Sequence, residues 1–226
     1  RKMSLRLKQT DPKGRVGGER SFKSTRRCNG KSFDDEEPDR EVLLVDGSNV
    51  CRSWATLNGD QTASLDVLLT LLVELVGQDF DFECIFDATI PHVLRKRARS
   101  GAEDSFRHLK NELPSRISRA PGGTDADDLL LQKADRRGLR IVTNDRFRDK
   151  RDTYPWVAKR ESERLIKGCV NGSDLQVVSL DLFAEAGSDT QDMVDQLLRA
   201  VLRQETDTSQ EGSSRSRGEL KWFDPE

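Results

Sequence analysis

The chain has 226 residues, 34% of them hydrophobic and 35% charged, enough for one domain with a real core and too few for two of ordinary size. No apolar run approaches the roughly 18 residues of a membrane-spanning helix, which excludes an integral helical membrane protein, and RKMSLRLKQT at the start lacks the apolar stretch of a secretory signal. Four cysteines (Cys28, Cys51, Cys84, Cys169) stand far apart with no CxxC pair and only two histidines to join them. That argues against a zinc finger and suits a reducing cytoplasm, the expected location. The net charge of −2 conceals a gradient: residues 1–33 carry +9, residues 34–204 carry −8 and residues 205–226 carry −3. A basic arm ahead of an acidic domain is common in chains that touch nucleic acid.

Residues 1–40 are rich in Gly, Ser, Lys, Arg and Asp and nearly free of aliphatic side chains, and 204–226 has the same character, so both are expected to be disordered. The folded unit is therefore 41–203. EVLLVD (41–46) is a continuous apolar run ending in an acid, the pattern of a central parallel strand. Residues 64–77 read as a helix with Ser64 as cap and Gly77 as stop. FECIFD (82–87) is a second strand ending in an acid, 101–112 a charged helix, and RISRA (116–120) a short edge strand. TDADDLLLQKADRRG (124–138) is a helix with Thr124 as cap and Gly138 at its end. LRIVTND (139–145) is another strand, LQVVSL (175–180) the last, and 189–203 an amphipathic helix. Strands alternating with helices predict an α/β fold, an open parallel sheet with helices on both faces and right-handed crossovers.

In open α/β sheets, ligands bind beyond the carboxyl ends of the strands. Asp46, Asp87 and Asp145 all end predicted strands there, Asp125, Asp127 and Asp128 open the helix that follows a Gly-Gly loop, and Asp149 lies four residues past Asp145. Crowded carboxylates repel one another unless a cation neutralises them. Oxygen ligands without His or Cys suit Mg²⁺ or Mn²⁺, and a hard cation in an open cleft serves phosphoryl chemistry. Singly, each acid has a plainer explanation. The helix dipole accounts for Asp125, and a turn after a strand accounts for Asp46 or Asp87. Their coincidence at one edge carries the functional reading.

Asp46-Gly-Ser-Asn49 after an apolar strand, Thr124-Asp-Ala-Asp-Asp128 opening a helix, and Thr143-Asn-Asp145 followed by Phe147-Arg-Asp149 resemble the NYN domain of the PIN-like nucleases. The likeness is to the ribonuclease domain of the CCCH zinc-finger endonucleases and, through Ile85-Phe-Asp-Ala88, to the bacterial ribosome-associated NYN endonucleases. It covers about 41–180. It implies the strand order 3-2-1-4-5 and a metal-dependent endoribonuclease. It also implies that Asp46, Asp127 or Asp128, Asp145 and Asp149 hold the metal and its water, and that Asn49 orients substrate or a ligand. Asp87 matches only part of the family. Adjacent helical residues point roughly 100° apart, so Asp127 and Asp128 cannot serve one ion equally. Asp127 shares its face with Leu130 and Leu131 and is expected to be the direct ligand, with Asp128 acting through water. The CCCH finger is absent from this sequence, so RNA selection must come from elsewhere.

Phosphate contacts are expected from the basic run Arg95, Lys96, Arg97 and Arg99, and from Arg146, Arg148 and Lys150, with Tyr154 and Trp156 nearby. Bases with adjacent aromatics suit single-stranded RNA, although a solvated helix face and a buried Trp156 are the plainer alternatives. His92 and His108 have no partner pattern. The partners expected are thus single-stranded RNA, messenger or ribosome-associated, with a second copy of the chain as a further candidate and no membrane. The competing reading is a catalytically silent PIN-like module that binds RNA or ribosomes. A phosphatase of the haloacid dehalogenase type needs a second Asp two residues after the first, where this chain has Ser48.

Overall fold

The computed structural model describes residues 40–54, 64–98, 100–158, 163–187 and 189–214. Its frame is a five-stranded, wholly parallel sheet: β1 (Val42–Asp46), β2 (Asp81–Phe86), β3 (Ile117–Arg119), β4 (Arg140–Val142) and β5 (Leu165–Ile166), in the spatial order β3-β2-β1-β4-β5. That is the expected open α/β sheet with order 3-2-1-4-5. β1 is central because it is paired on both sides, to β2 and to β4, which is why its sequence is apolar without alternation.

Successive residues of β1 face opposite ways. Leu43 and Val45 enter one core and Leu44 the other. The first core lies under α1 (Gly47–Ser53), the leucine-rich α2 (Leu65–Gly77), α3 (Ile90–Arg97) and α4 (Ala102–Glu112), with α6 (Thr190–Ser214) laid against α2. The second lies under α5 (Ala126–Arg137), whose Leu130, Leu131 and Ala134 meet Leu44, Ile85 and Ile141. Each fully buried leucine contributes roughly 1.5–3 kcal/mol, so these two clusters hold the helices on both faces of the sheet.

Several local expectations are corrected. The helix at 126–137 is capped by Asp125, whose carboxylate accepts from the Asp127 N–H at 3.0 Å, rather than by Thr124. Helical backbone begins one residue later than the Thr cap requires. The segment 175–180 does not join the parallel sheet. The fifth strand is the two-residue β5, and 174–177 forms the middle of an antiparallel sheet of β6 (Cys169–Asn171), β7 (Asp174–Val177) and β8 (Leu182–Glu185). A two-residue strand has no period to detect, whereas the Gly172 turn, at φ +67°, makes a hairpin. Residues 47–53, where a turn was the plain alternative, form α1 directly after β1, and α6 continues past residue 203 to Ser214. The basic arm expected at 1–40 lies outside the described residues apart from Arg40, as does the tail beyond residue 214.

Candidate active site

β1 passes into α1 without a loop, and Asp46 is the junction. Its Oδ1 accepts the Asn49 N–H at 2.9 Å, capping the helix, and its Oδ2 accepts the Thr143 hydroxyl at 2.9 Å. This direct passage depends on Gly47, because a Cβ there would sit 2.6–2.7 Å from the Phe86 ring and the Cys84 sulfur. The Thr143 hydroxyl also accepts the Asp145 N–H at 3.0 Å, so one side chain ties the acid of β1 to the loop after β4. On the other flank the Ser48 hydroxyl accepts the Asp87 N–H at 2.8 Å, tying in the loop after β2. The DGSN sequence is therefore a fastening point for both neighbouring loops. Asn49 completes it: its Oδ1 accepts the Asn144 N–H at 2.8 Å and the Ser53 hydroxyl at 3.0 Å.

Behind this edge, Asn144 clasps the strand-end of β5. Its amide donates to the Gly168 carbonyl at 2.7 Å, and its carbonyl accepts the Gly168 N–H at 3.2 Å. Trp54, buried at the end of α1, presses its ring where a Gly168 Cβ would stand, at 2.3 Å.

Four carboxylates from four elements meet electrostatically at this edge. Asp46 is 5% exposed. Desolvation, opposed by its two hydrogen bonds and reinforced by Asp87 and Asp145, raises its pKa to about 6. Asp127, half-buried in the first turn of α5, is pushed up to about 7, first by desolvation and then by Asp46, Asp125, Asp145 and Asp87. Two cations face the group: Arg52 pairs with Asp87 at 2.7 Å, and the Lys167 ammonium donates to the Asp145 carbonyl at 2.5 Å. Partial desolvation lowers the Lys167 pKa. Among the described residues no three His, Cys, Asp or Glu side chains are gathered closely enough to grip an ion as they stand. The donor set that faces the edge is all oxygen, without His or Cys, and so fits a hard cation rather than zinc.

Asp128 and Asp149 are placed differently. Asp128 is exposed and pairs with Lys150 at 2.8 Å, and Lys150 also holds Asp125 at 2.6 Å. Asp149 lies on an exposed 3-10 turn, Arg148–Lys150, with the Lys150 ammonium 3.9 Å from its carboxylate. Asp87, matched only in part by sequence resemblance, stands within the group instead.

The expected RNA contacts are mixed. Arg95 forms a two-pronged pair with Glu103 at 2.5 and 2.6 Å, and Lys150 is occupied by acids. Lys96, Arg146 and Arg148 are exposed, while the side chains of Arg97 and Arg99 lie outside the described residues. Trp156, half-buried, packs against the second core with the Arg164 guanidinium 4.0 Å above its ring, which is the core-packing alternative. Lys167 and Arg52 were missed from sequence. Lys167 follows a strand too short to recognise, and Arg52 sits in the helix that resembled a turn.

No family model matches the chain, and no curated protein does. Among solved structures it is similar to the crystal structure of nuclear proteinaceous RNase P 2 (PRORP2) from A. thaliana, at 21% identity, covering 62% of this chain and 29% of that one, with a TM-score of 0.48. It is also similar to a second structure of Arabidopsis thaliana nuclear protein-only RNase P 2, at 17% identity, covering 69% of this chain and 32% of that one, with a TM-score of 0.47. The chain thus spans about a third of the length of those proteins.

Proposed function

We propose that this chain is a metal-dependent endoribonuclease that hydrolyses phosphodiester bonds of single-stranded RNA at the acidic edge of its sheet. The observation that carries the reading is the meeting of Asp46, Asp127, Asp87 and Asp145 at the carboxyl end of a parallel sheet, two of them held at raised pKa by burial and by one another. Such a group costs the fold stability, and a bound cation would relieve the repulsion. Asp46, Asp127 and Asp145 are the residues that would hold Mg²⁺ or Mn²⁺, with Asp87 beside them and Asp128 acting through water. When bound, the ion lowers the pKa of a water and offsets charge developing on the phosphate. Thr143 and the Asn49 N–H fix the Asp46 carboxylate in one orientation, and the Asn49 Oδ1, accepting from Asn144 and Ser53, positions the loop after β4. Lys167 and the exposed Arg146 and Arg148 supply positive charge at the rim for the scissile strand.

Purified protein incubated with end-labelled single-stranded RNA in Mn²⁺, Mg²⁺ or EDTA tests the reading. Internal cleavage with either ion and none in EDTA is expected. RNA that is bound but intact under every metal would establish the silent binding module in its place.

A further inference from the structure

A groove of about 440 Å³ runs between α5 and β3, the edge strand of the sheet. Its walls carry Arg119, Lys133, Arg136 and Arg137, and its floor includes Ile85 and Leu129. Lys133 and Arg137 both pair with Glu83 of β2, so four cations face one acid. Arg119 and Arg136 are exposed and form no ion pair among the described residues. This concentration stands out in a folded region whose balance is acidic.

The position of the groove matters as much as its charge. Arg119 is paired in register with Phe86, the residue before Asp87. Leu129 lies two residues after Asp127 on α5. Both walls therefore begin at the acidic edge and lead away from it. At 1.5 Å per residue, Arg136 is roughly 14 Å along the helix from Asp127. An extended chain crossing the acids would continue down this channel. The mouth is acidic and the channel basic, so a polyanion would find its charge met only once past the proposed cation site. The floor is aliphatic, so a base would rest on it by apolar contact while the flanking guanidinium groups add cation–π attraction.

We propose that this groove takes the sugar–phosphate backbone of single-stranded RNA leaving the acidic edge, with Arg119 and Arg136 pairing with phosphates and the Ile85–Leu129 floor lying against a base. The proposal rests on the nuclease reading and adds to it the direction in which the strand runs.

The test measures affinity for a fluorescein-labelled oligouridylate by anisotropy, in EDTA so that no cleavage intervenes, across a salt series from 50 to 200 mM KCl. Wild type is compared with the double variant Arg119→Gln/Arg136→Gln, and a melting curve verifies that these two surface changes leave the fold intact. Loss of two phosphate contacts on a single strand should reduce the slope of log affinity against log salt by about 1.4. An unchanged slope with binding retained overturns the groove and leaves the nuclease reading standing. Should polyglutamate binding weaken in the variant while the RNA slope holds, the groove belongs to an acidic polypeptide and the RNA assignment falls. Wild-type protein that binds no RNA in EDTA even at 50 mM KCl overturns the groove, whereas the nuclease reading stands or falls separately on cleavage in Mn²⁺ or Mg²⁺.

Discussion

Replacing Asp46 by asparagine is expected to silence RNA cleavage while making the metal-free protein more stable at neutral and alkaline pH. The folded-state pKa of Asp46 rises from 3.8 to about 6. A carboxyl whose folded pKa lies above its unfolded one binds its proton more tightly in the native state. Wild-type stability should therefore fall as pH rises from about 4 to about 6 and stay level above that, as far as this group is concerned. The cost of ionising it in place is roughly 3 kcal/mol at pH 8. Asparagine has the same shape and can still accept the Asn49 N–H, but it gives up the charge-assisted hydrogen bond from Thr143. A net gain of about 2 kcal/mol remains, equivalent to roughly 4–8 °C in melting temperature for a chain of this size. At pH 4 the advantage should nearly vanish, because wild-type Asp46 is then mostly protonated in the native state and only about half ionised when unfolded. Thermal melts in EDTA at pH 4, 6 and 8, run beside a cleavage assay, measure both halves. A gain of equal size at pH 4 and pH 8 would refute the electrostatic reasoning, and an active variant would refute the proposed site.

Asp127→Asn is expected to cost more activity than Asp128→Asn and to raise the Mn²⁺ concentration for half-maximal rate, since Asp127 feels Asp46, Asp145 and Asp87 whereas Asp128 faces solvent and Lys150. The loss from Asp128→Asn should stay within the roughly 10–100-fold typical of a residue acting through another ligand, and metal titrations of the two variants will rank them; the reverse order would exchange their roles. Gly47→Ala places a methyl group against Phe86 and Cys84 and is expected to destabilise the fold by about 1–3 kcal/mol. Denaturant unfolding with an unchanged midpoint would show that β2 yields at little cost.

The parts of this fold that were legible in the sequence are those where one physical signal dominates. β1 showed itself because a strand paired on both sides and covered on both faces must be apolar throughout, and α2 because Ser64 and Gly77 bracket a leucine run. The acids at strand ends were legible for a topological reason: chain order and parallel pairing force Asp46, Asp87 and Asp145 to one edge. The illegible parts depend on contacts between distant residues. β5 exists because Thr143 and Ile141 donate backbone hydrogen bonds to it, and nothing within Leu165–Ile166 announces that. Along the sequence Lys150 has no visible partner beside its basic run and so suggests a phosphate contact, yet Asp125 and Asp128, more than twenty residues earlier, hold it. Asp149 lies four residues past Asp145 in sequence, but it sits inside the exposed 3-10 turn Arg148–Lys150 next to Lys150, which no spacing along the chain announces.

The two-way clasp between Asn144 and Gly168 has a consequence for how genetic data on this chain would be read. The sheet ladder between β4 and β5 is short, with Ile141 opposite Leu165 and Val142 opposite Ile166. The Asn144 side chain adds a rung in the manner of a backbone amide, giving and receiving one hydrogen bond. A one-residue slip would exchange which side chain of that strand is buried, and the extra rung opposes it. Trp54 closes over the same glycine, leaving no room for any other residue. A saturation screen scored on cleavage would therefore flag Trp54, Asn144 and Gly168 as sharply as the carboxylates, though their job is alignment. Parallel scoring for abundance would separate the two classes: alignment residues should lose protein and activity together, whereas the acids should lose activity alone.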